Sequence, residues 1–165
     1  DVLNRTSHKP SASVGVMSGS NWMRSVHRWY EFRAIQRRAL SAIAHKAATG
    51  EIELCERLDI MSPEPESLVR YAETTPISME TVWHLLHHEP VDHAHRLTMP
   101  VFLFGADDDT VVPCDQTRQF FDRVTSEKQM EIFPAGNHWV VYDEALPRVA
   151  EVTAAWFARH MGLST

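Results

Sequence analysis

The sequence lacks any apolar run near the ~20 residues that a membrane-spanning helix needs; its longest uninterrupted apolar stretches are a few residues long. It has no initiator methionine, and Asp1 to Pro10 is polar, without the apolar stretch of a secretory signal. Residues upstream are therefore expected. There are only two cysteines, Cys55 and Cys114, far apart and matching no metal or redox spacing, so both are expected as reduced, partly buried thiols of a cytoplasmic protein. No internal repeat and no low-complexity tract occurs. Positive charge is in deficit: 16 Lys and Arg stand against 22 Asp and Glu, a net charge of −6, which argues against nucleic acid as a partner of the whole chain. What remains is an ordinary globular balance, 44% hydrophobic and 23% charged over 165 residues, enough for one domain with a real core.

The charge is unevenly placed. Residues 21–48 carry six Arg or Lys against the single acid Glu31. Ser13 to Ser18 reads as a short buried strand ending at Gly19. Asn21 can cap a long helix from about Trp22 to Ala48, closed by Gly50, with Trp22, Val26, Trp29, Tyr30, Ala34 and Ala42 as its apolar stripe and the arginines around the rest. Glu51 to Leu58 is a plausible short helix. Ser62 to Glu66 is a turn that starts another helix through Tyr71, and Ser78 with Thr81 begins one that runs to about His88. From Met99 the pattern changes. Pro100 to Gly105 is a continuous apolar strand of the kind buried on both faces of a parallel sheet. A helix over Pro113–Val124, a strand over Gln129–Phe133 and a helix over Ala145–Met161 follow, a parallel βαβα unit.

In open parallel sheets, functional groups gather in the loops just beyond the C-terminal ends of the strands. Two such loops are Ala106–Val112, with three consecutive aspartates, and Pro134–Val140, which carries His138. A carboxylate accepting the Nδ1–H of a histidine fixes its tautomer and stabilises the imidazolium formed when the ring takes a proton from a nucleophile.

The segment from Met99 to Trp139, MPVFLFGADDDTVVP followed later by KQMEIFPAGNHW, resembles the last two strand-end loops of the α/β-hydrolases. Their usual form is an apolar strand, Gly, two residues, Asp, four residues and Pro, then about thirty residues later an apolar strand, Pro, Gly and His. Gly105, Asp108 and Pro113 fit the first part; Pro134, Gly136 and His138 fit the second. Asp107 and Asp109 are alternatives in register, and Asp108 is favoured because it lies three after Gly105 and five before Pro113. The match covers about 70 residues, and within the superfamily it looks nearest to dienelactone-hydrolase and X-Pro-peptidase-like bacterial enzymes.

The resemblance implies an α/β fold: the C-terminal portion of a parallel hydrolase sheet with a helical cap insertion. Residues 1–20 would hold a core strand following the nucleophile elbow, 21–96 the cap, and 97–165 the closing βαβα. It implies hydrolysis of a small-molecule carboxylic ester or amide, with Asp108 and His138 as acid and base, and no metal or organic cofactor.

The family's elbow, Gly-x-Ser-x-Gly, is absent. Ser18, in Val16-Met-Ser-Gly-Ser20, stands in the right chain order, but Val16 occupies a place that wants a small residue. The better account makes Ser13–Ser18 the strand after the elbow, with the nucleophile and the oxyanion-hole amides on a missing N-terminal segment or a second chain. The competing reading is a non-catalytic or split hydrolase-derived module that acts in binding. Trp139, directly after His138, either lines a pocket for the substrate or merely covers the site, and Trp22 is a second candidate substrate contact. His84, His87, His88, His93 and His95 are dense, but they show no HExxH arrangement and read as a solvated edge rather than a metal site.

Overall fold

The computed structural model describes residues 13–16, 29–56, 59–60 and 75–161. The chain divides into two compact units, Asn21–His88 and a second made of Asp1–Ser20 with Glu89–Thr165. No helix among the described residues is long and apolar enough to cross a membrane.

The first unit is built on helix α1 (Trp29–Thr49) and helix α2 (Met79–Leu86). On α1 the buried positions are Phe32, Ala39 and Ala42, with Ile35 packed against them, a three- and four-residue spacing that makes one stripe. Ala34, expected in the stripe, is exposed, and Arg33, Arg37 and Arg38 are exposed with it. Gly50 ends α1 in the left-handed region (φ 81°), its amide donating to the Lys46 carbonyl at 2.8 Å. Ser78 caps α2, its Oγ accepting from the Thr81 amide at 3.1 Å.

Glu51 to Glu56, expected as part of a helix running to Leu58, is not helical. Leu54–Cys55 (β2) pairs antiparallel with Ile77–Ser78 (β3), and the Met79 amide donates to the Glu53 carbonyl at 3.0 Å. The physical reason lies in alternation: Leu54 is exposed and Cys55 buried, a two-residue pattern that suits a strand. The acids of this segment reach back to α1, Glu53 to Arg38 at 2.7 Å and Glu51 to His45 at 3.1 Å. The expected helix ending at Tyr71 lies outside the described residues.

The second unit is a three-stranded parallel sheet in the order β1 (Ser13–Val16), β4 (Val101–Ala106), β5 (Lys128–Phe133). Every residue of β4 is buried, because it lies between two strands and between two helices. Val101 and Leu103 point to one face, where they share a core with Val124, Phe120 and Phe121 at the end of helix α3 (Cys114–Arg123). Phe102 points to the other, its ring edge-on to Trp156 of helix α4 (Leu146–Met161) at 5.4 Å. Gly105 leaves room for the Ile132 side chain of β5: a Cβ there would meet Ile132 Cδ1 at 2.8 Å, while Thr117 Cγ2 of α3 would lie in ordinary contact at 3.5 Å. The 3₁₀ helix Pro90–Arg96 belongs to this core through Ala94, followed by Leu97, although the sequence pattern groups it with the helical region 21–96. At the far end of α3, Lys128 Nζ donates to the carbonyls of Phe121 and Val124 at 2.8 and 2.9 Å. It also lies 4.6 Å from the centre of the Phe121 ring.

Candidate active site

The paired strands end at Ala106 opposite Phe133, but the hydrogen bonding continues into the loops. The Asp107 amide donates to the Phe133 carbonyl at 3.1 Å and the Asp108 amide to the Gly136 carbonyl at 3.0 Å. The acid-bearing loop and the histidine-bearing loop are thereby one backbone structure. Between them Phe133–Gly136 closes a tight turn, with the Gly136 amide on the Phe133 carbonyl at 3.4 Å and Ala135 at a positive φ of 53°. Gly136 is required by space: a Cβ would stand 2.9 Å from Val140 Cγ1 and 3.2 Å from Val140 Cβ.

On this frame the imidazole of His138 meets Asp109. His138 Nδ1 lies 3.0 Å from Asp109 Oδ2 and 3.2 Å from Oδ1. The carboxylate is fully buried and the imidazole is 16% exposed. Asp109 Oδ1 also accepts from the amides of Val111 and Val112 at 2.9 and 2.7 Å. A carboxylate so held can only receive a proton donor, so the chemistry assigns the hydrogen to Nδ1 and the lone pair to Nε2. That is the tautomer needed to take a proton from a hydroxyl.

Asp108, favoured from spacing, is not the partner. Its side chain is exposed, and its amide is what joins the two loops. The correction has a physical cause. Gly105 still lies inside β4, whose pairing runs on to Ala106, so a count from the glycine begins one residue too soon. The deciding signal is the pair of amides ahead of Pro113: an aspartate two residues before Val111 can accept from both and is fixed by the turn it makes. Asp107 points elsewhere, to Arg118 at 3.1 Å.

Trp139 is 9% exposed, its ring edge-to-face with His138 at 5.1 Å and tilted against Tyr142 at 6.2 Å. Asn137, which the motif did not single out, shapes this turn: its Oδ1 accepts from the Trp139 amide at 2.8 Å. Its signal is the ordinary preference of asparagine for bonding the backbone two residues on. Ser18 and Trp22 lie outside the described residues. Among the histidines of the helical unit, His87 is engaged locally, Nδ1 on the Trp83 carbonyl at 2.7 Å and Nε2 beside Gln36 Nε2 at 3.3 Å. No group of three or more His, Cys, Asp or Glu side chains placed to hold a metal occurs among the described residues. Burial pushes the thiols of Cys55 and Cys114 above their ordinary pKa, as expected of inert core cysteines.

Comparison with known proteins agrees with this architecture. Over 92% of its length the chain superposes on DcsB, solved in complex with a substrate analogue, with a TM-score of 0.74 at 14% identity, and covers 57% of that chain. Over 94% it superposes on the α/β-hydrolase GrgF from Penicillium sp. sh18, with a TM-score of 0.71 at 16% identity, again covering 57%. A monoacylglycerol lipase from Paleococcus ferrophilus gives a TM-score of 0.61 at 18% identity, with 92% of this chain and 60% of that one covered. These likenesses establish the fold. In sequence, 84 residues are 31% identical to an uncharacterized 31.7 kDa Escherichia coli protein of the traX-finO intergenic region. That match takes in 49% of this chain and 29% of the relative, so the chain spans less than a third of its length. The profile of the serine aminopeptidase S33 family (Hydrolase_4) matches residues 8–145. With a parallel sheet, paired strand-end loops and a profile match over most of its length, the chain belongs to the serine aminopeptidase S33 family of α/β-hydrolases.

Proposed function

We propose that this chain supplies the acid and base of an enzyme that hydrolyses a carboxylic ester or amide of a small molecule, with His138 as general base and then general acid and Asp109 as the residue that orients it. The observation that carries the reading is the buried Asp109–His138 pair at the C-terminal ends of β4 and β5. The imidazole takes the proton of a serine hydroxyl through Nε2 as the oxygen attacks the carbonyl. It returns that proton to the leaving alcohol or amine, and water then releases the acyl group by the same path in reverse. Asp109 keeps its charge throughout and stabilises the transient imidazolium. The serine and the amides that stabilise the oxyanion stand outside the described residues. The reading places them on a segment or chain that joins this one, with Ser18 as the alternative within it. The helical residues 21–88, which form a unit with its own core, are read as the cap insertion.

The test is a fluorophosphonate probe followed by intact-mass analysis of every polypeptide present, alongside turnover of short-chain aryl esters. An adduct that disappears in His138→Gln supports the reading, and its position names the serine. If the adduct forms at full rate in both His138→Gln and Asp109→Asn, the pair is not the base and its orienter, and the proposal fails.

A further inference from the structure

We infer that Trp139 is a positioning residue: its buried indole is the wall that holds the His138 imidazole on Asp109. This rests on the reading of His138 as the base, and it replaces the expectation that Trp139 contacts substrate. At 9% exposure the indole has little surface left to offer a ligand. It is instead mounted rigidly. Its amide is bonded to Asn137 Oδ1 at 2.8 Å, and its carbonyl accepts from Tyr142 and Asp143 at 2.8 and 3.2 Å. The next turn is wound on in the same way, with the Ala145 amide on the Val140 carbonyl at 2.9 Å. Its ring then meets two others, edge-to-face with His138 at 5.1 Å (interplanar angle 87°) and tilted against Tyr142 at 6.2 Å.

The hydrogen bond to Asp109 fixes one edge of the imidazole but leaves the ring free to rock about the Nδ1–Oδ axis. A perpendicular aromatic surface at van der Waals range removes that freedom, because rocking would drive the imidazole into the indole. Nε2 is then presented to the nucleophile in one direction. Misplacing a reacting group by about 1 Å can cost on the order of 10²-fold in rate, so a wall of this kind acts on turnover and not on substrate affinity.

The test is nuclear magnetic resonance of the intact chain, following the low-field Nδ1 proton of His138, with steady-state kinetics wherever ester turnover is measurable. Trp139→Leu is expected to broaden that resonance or speed its exchange with solvent, and to lower kcat about 10- to 100-fold with KM little changed. Trp139→Phe, which keeps an aromatic face, is expected to restore most of both. Should Trp139→Leu fail to fold, Tyr142→Ala provides the milder perturbation, since Tyr142 is 57% exposed and backs the indole from outside; it is expected to speed the exchange without unfolding. An unchanged Nδ1 resonance in Trp139→Leu, or in Tyr142→Ala where that variant stands in for it, overturns the inference. So does a rise in KM at constant kcat, which would make the indole a substrate contact. Expected resonance changes in Trp139→Leu, with no probe adduct on any polypeptide and no ester turnover once the segment or chain that carries the serine is present, refute the proposed reaction and leave the positioning role standing.

Discussion

Replacing Asp109 and Asp108 separately by alanine should give opposite results, although the two are neighbours of the same chemistry. Asp109 is fully buried and receives three donors: the amides of Val111 and Val112 and the imidazole of His138. Asp109→Ala orphans two buried amides at roughly 1–3 kcal/mol each and removes a charge-assisted bond to His138 of roughly 1.5–3 kcal/mol. These terms share one turn and do not add in full. The expected loss is about 3–5 kcal/mol, the range for breaking a buried pair, against a total stability of roughly 5–15 kcal/mol for a domain. Asp108 contributes its amide, which alanine keeps, so Asp108→Ala should stay within about 0.5 kcal/mol. Urea unfolding followed by tryptophan fluorescence measures both, with Trp139 reporting on the loop and Trp156 on the sheet core. In an enzyme that turns over substrate, Asp109→Asn should lower kcat by as much as ~10⁴-fold and Asp108→Asn by little. Equal losses of stability in the two alanine variants, or a larger loss at Asp108, would refute the assignment.

Two further outcomes follow from the same geometry. Ala135 holds a left-handed backbone at φ 53°, which costs a non-glycine residue about 1–2 kcal/mol; Ala135→Gly relieves this but frees the unfolded chain, so a net gain of roughly 0.5–1 kcal/mol in urea unfolding is expected, and a loss would mean that the turn is not strained. In the helical unit, the hydrogen bond from Lys46 and then its charge hold the Glu80 carboxyl below its ordinary pKa. A carboxyl lowered by folding stabilises the native state above its unfolded pKa, about 4.3, and ceases to do so as pH falls through the folded value. The gap in urea midpoint between wild type and Glu80→Gln should therefore be present near neutral pH, shrink in acid below that range, and shrink also in high salt because the pair is exposed. A gap that widens in acid would reverse the sign and refute the argument.

The sheet unit was legible because its signals are local and redundant. The apolar run from Val101 can be satisfied only between strands and helices, and the Pro and Gly at 134 and 136 leave the chain no choice but a tight turn. Less was legible where one feature fits two structures. Glu51 and Glu53 suit a helix start as well as an ion pair with a neighbouring helix, and the cross-strand bond from Met79 that decides between them is invisible before the chain folds back. The aspartate that meets His138 lies one residue beyond the one spacing favours, for a related reason. Spacing locates an aspartate along the chain, but the amides that hold its carboxylate identify it, and those depend on where the strand stops. Along α1 the stripe was legible at Ala42, which is buried, and not at Ala34, which is exposed while Phe32 two positions away is buried; only the partner helix selects between those two.

Lys128, bound to the last carbonyls of α3, has a meaning for the strand that it begins. A strand displaced by one residue turns its whole apolar set to the wrong side, and β5 has modest means of its own against this, since its residues are half-buried or exposed rather than fully enclosed. An ammonium tethered to Phe121 and Val124 at the first position of β5 ties the count of the strand to the end of the preceding helix. Slippage would then uncap the helix as well as invert the strand. Because β5 leads directly into the His138 loop, the residue that sets the phase of that loop stands at the opposite end of the strand, remote from any chemistry.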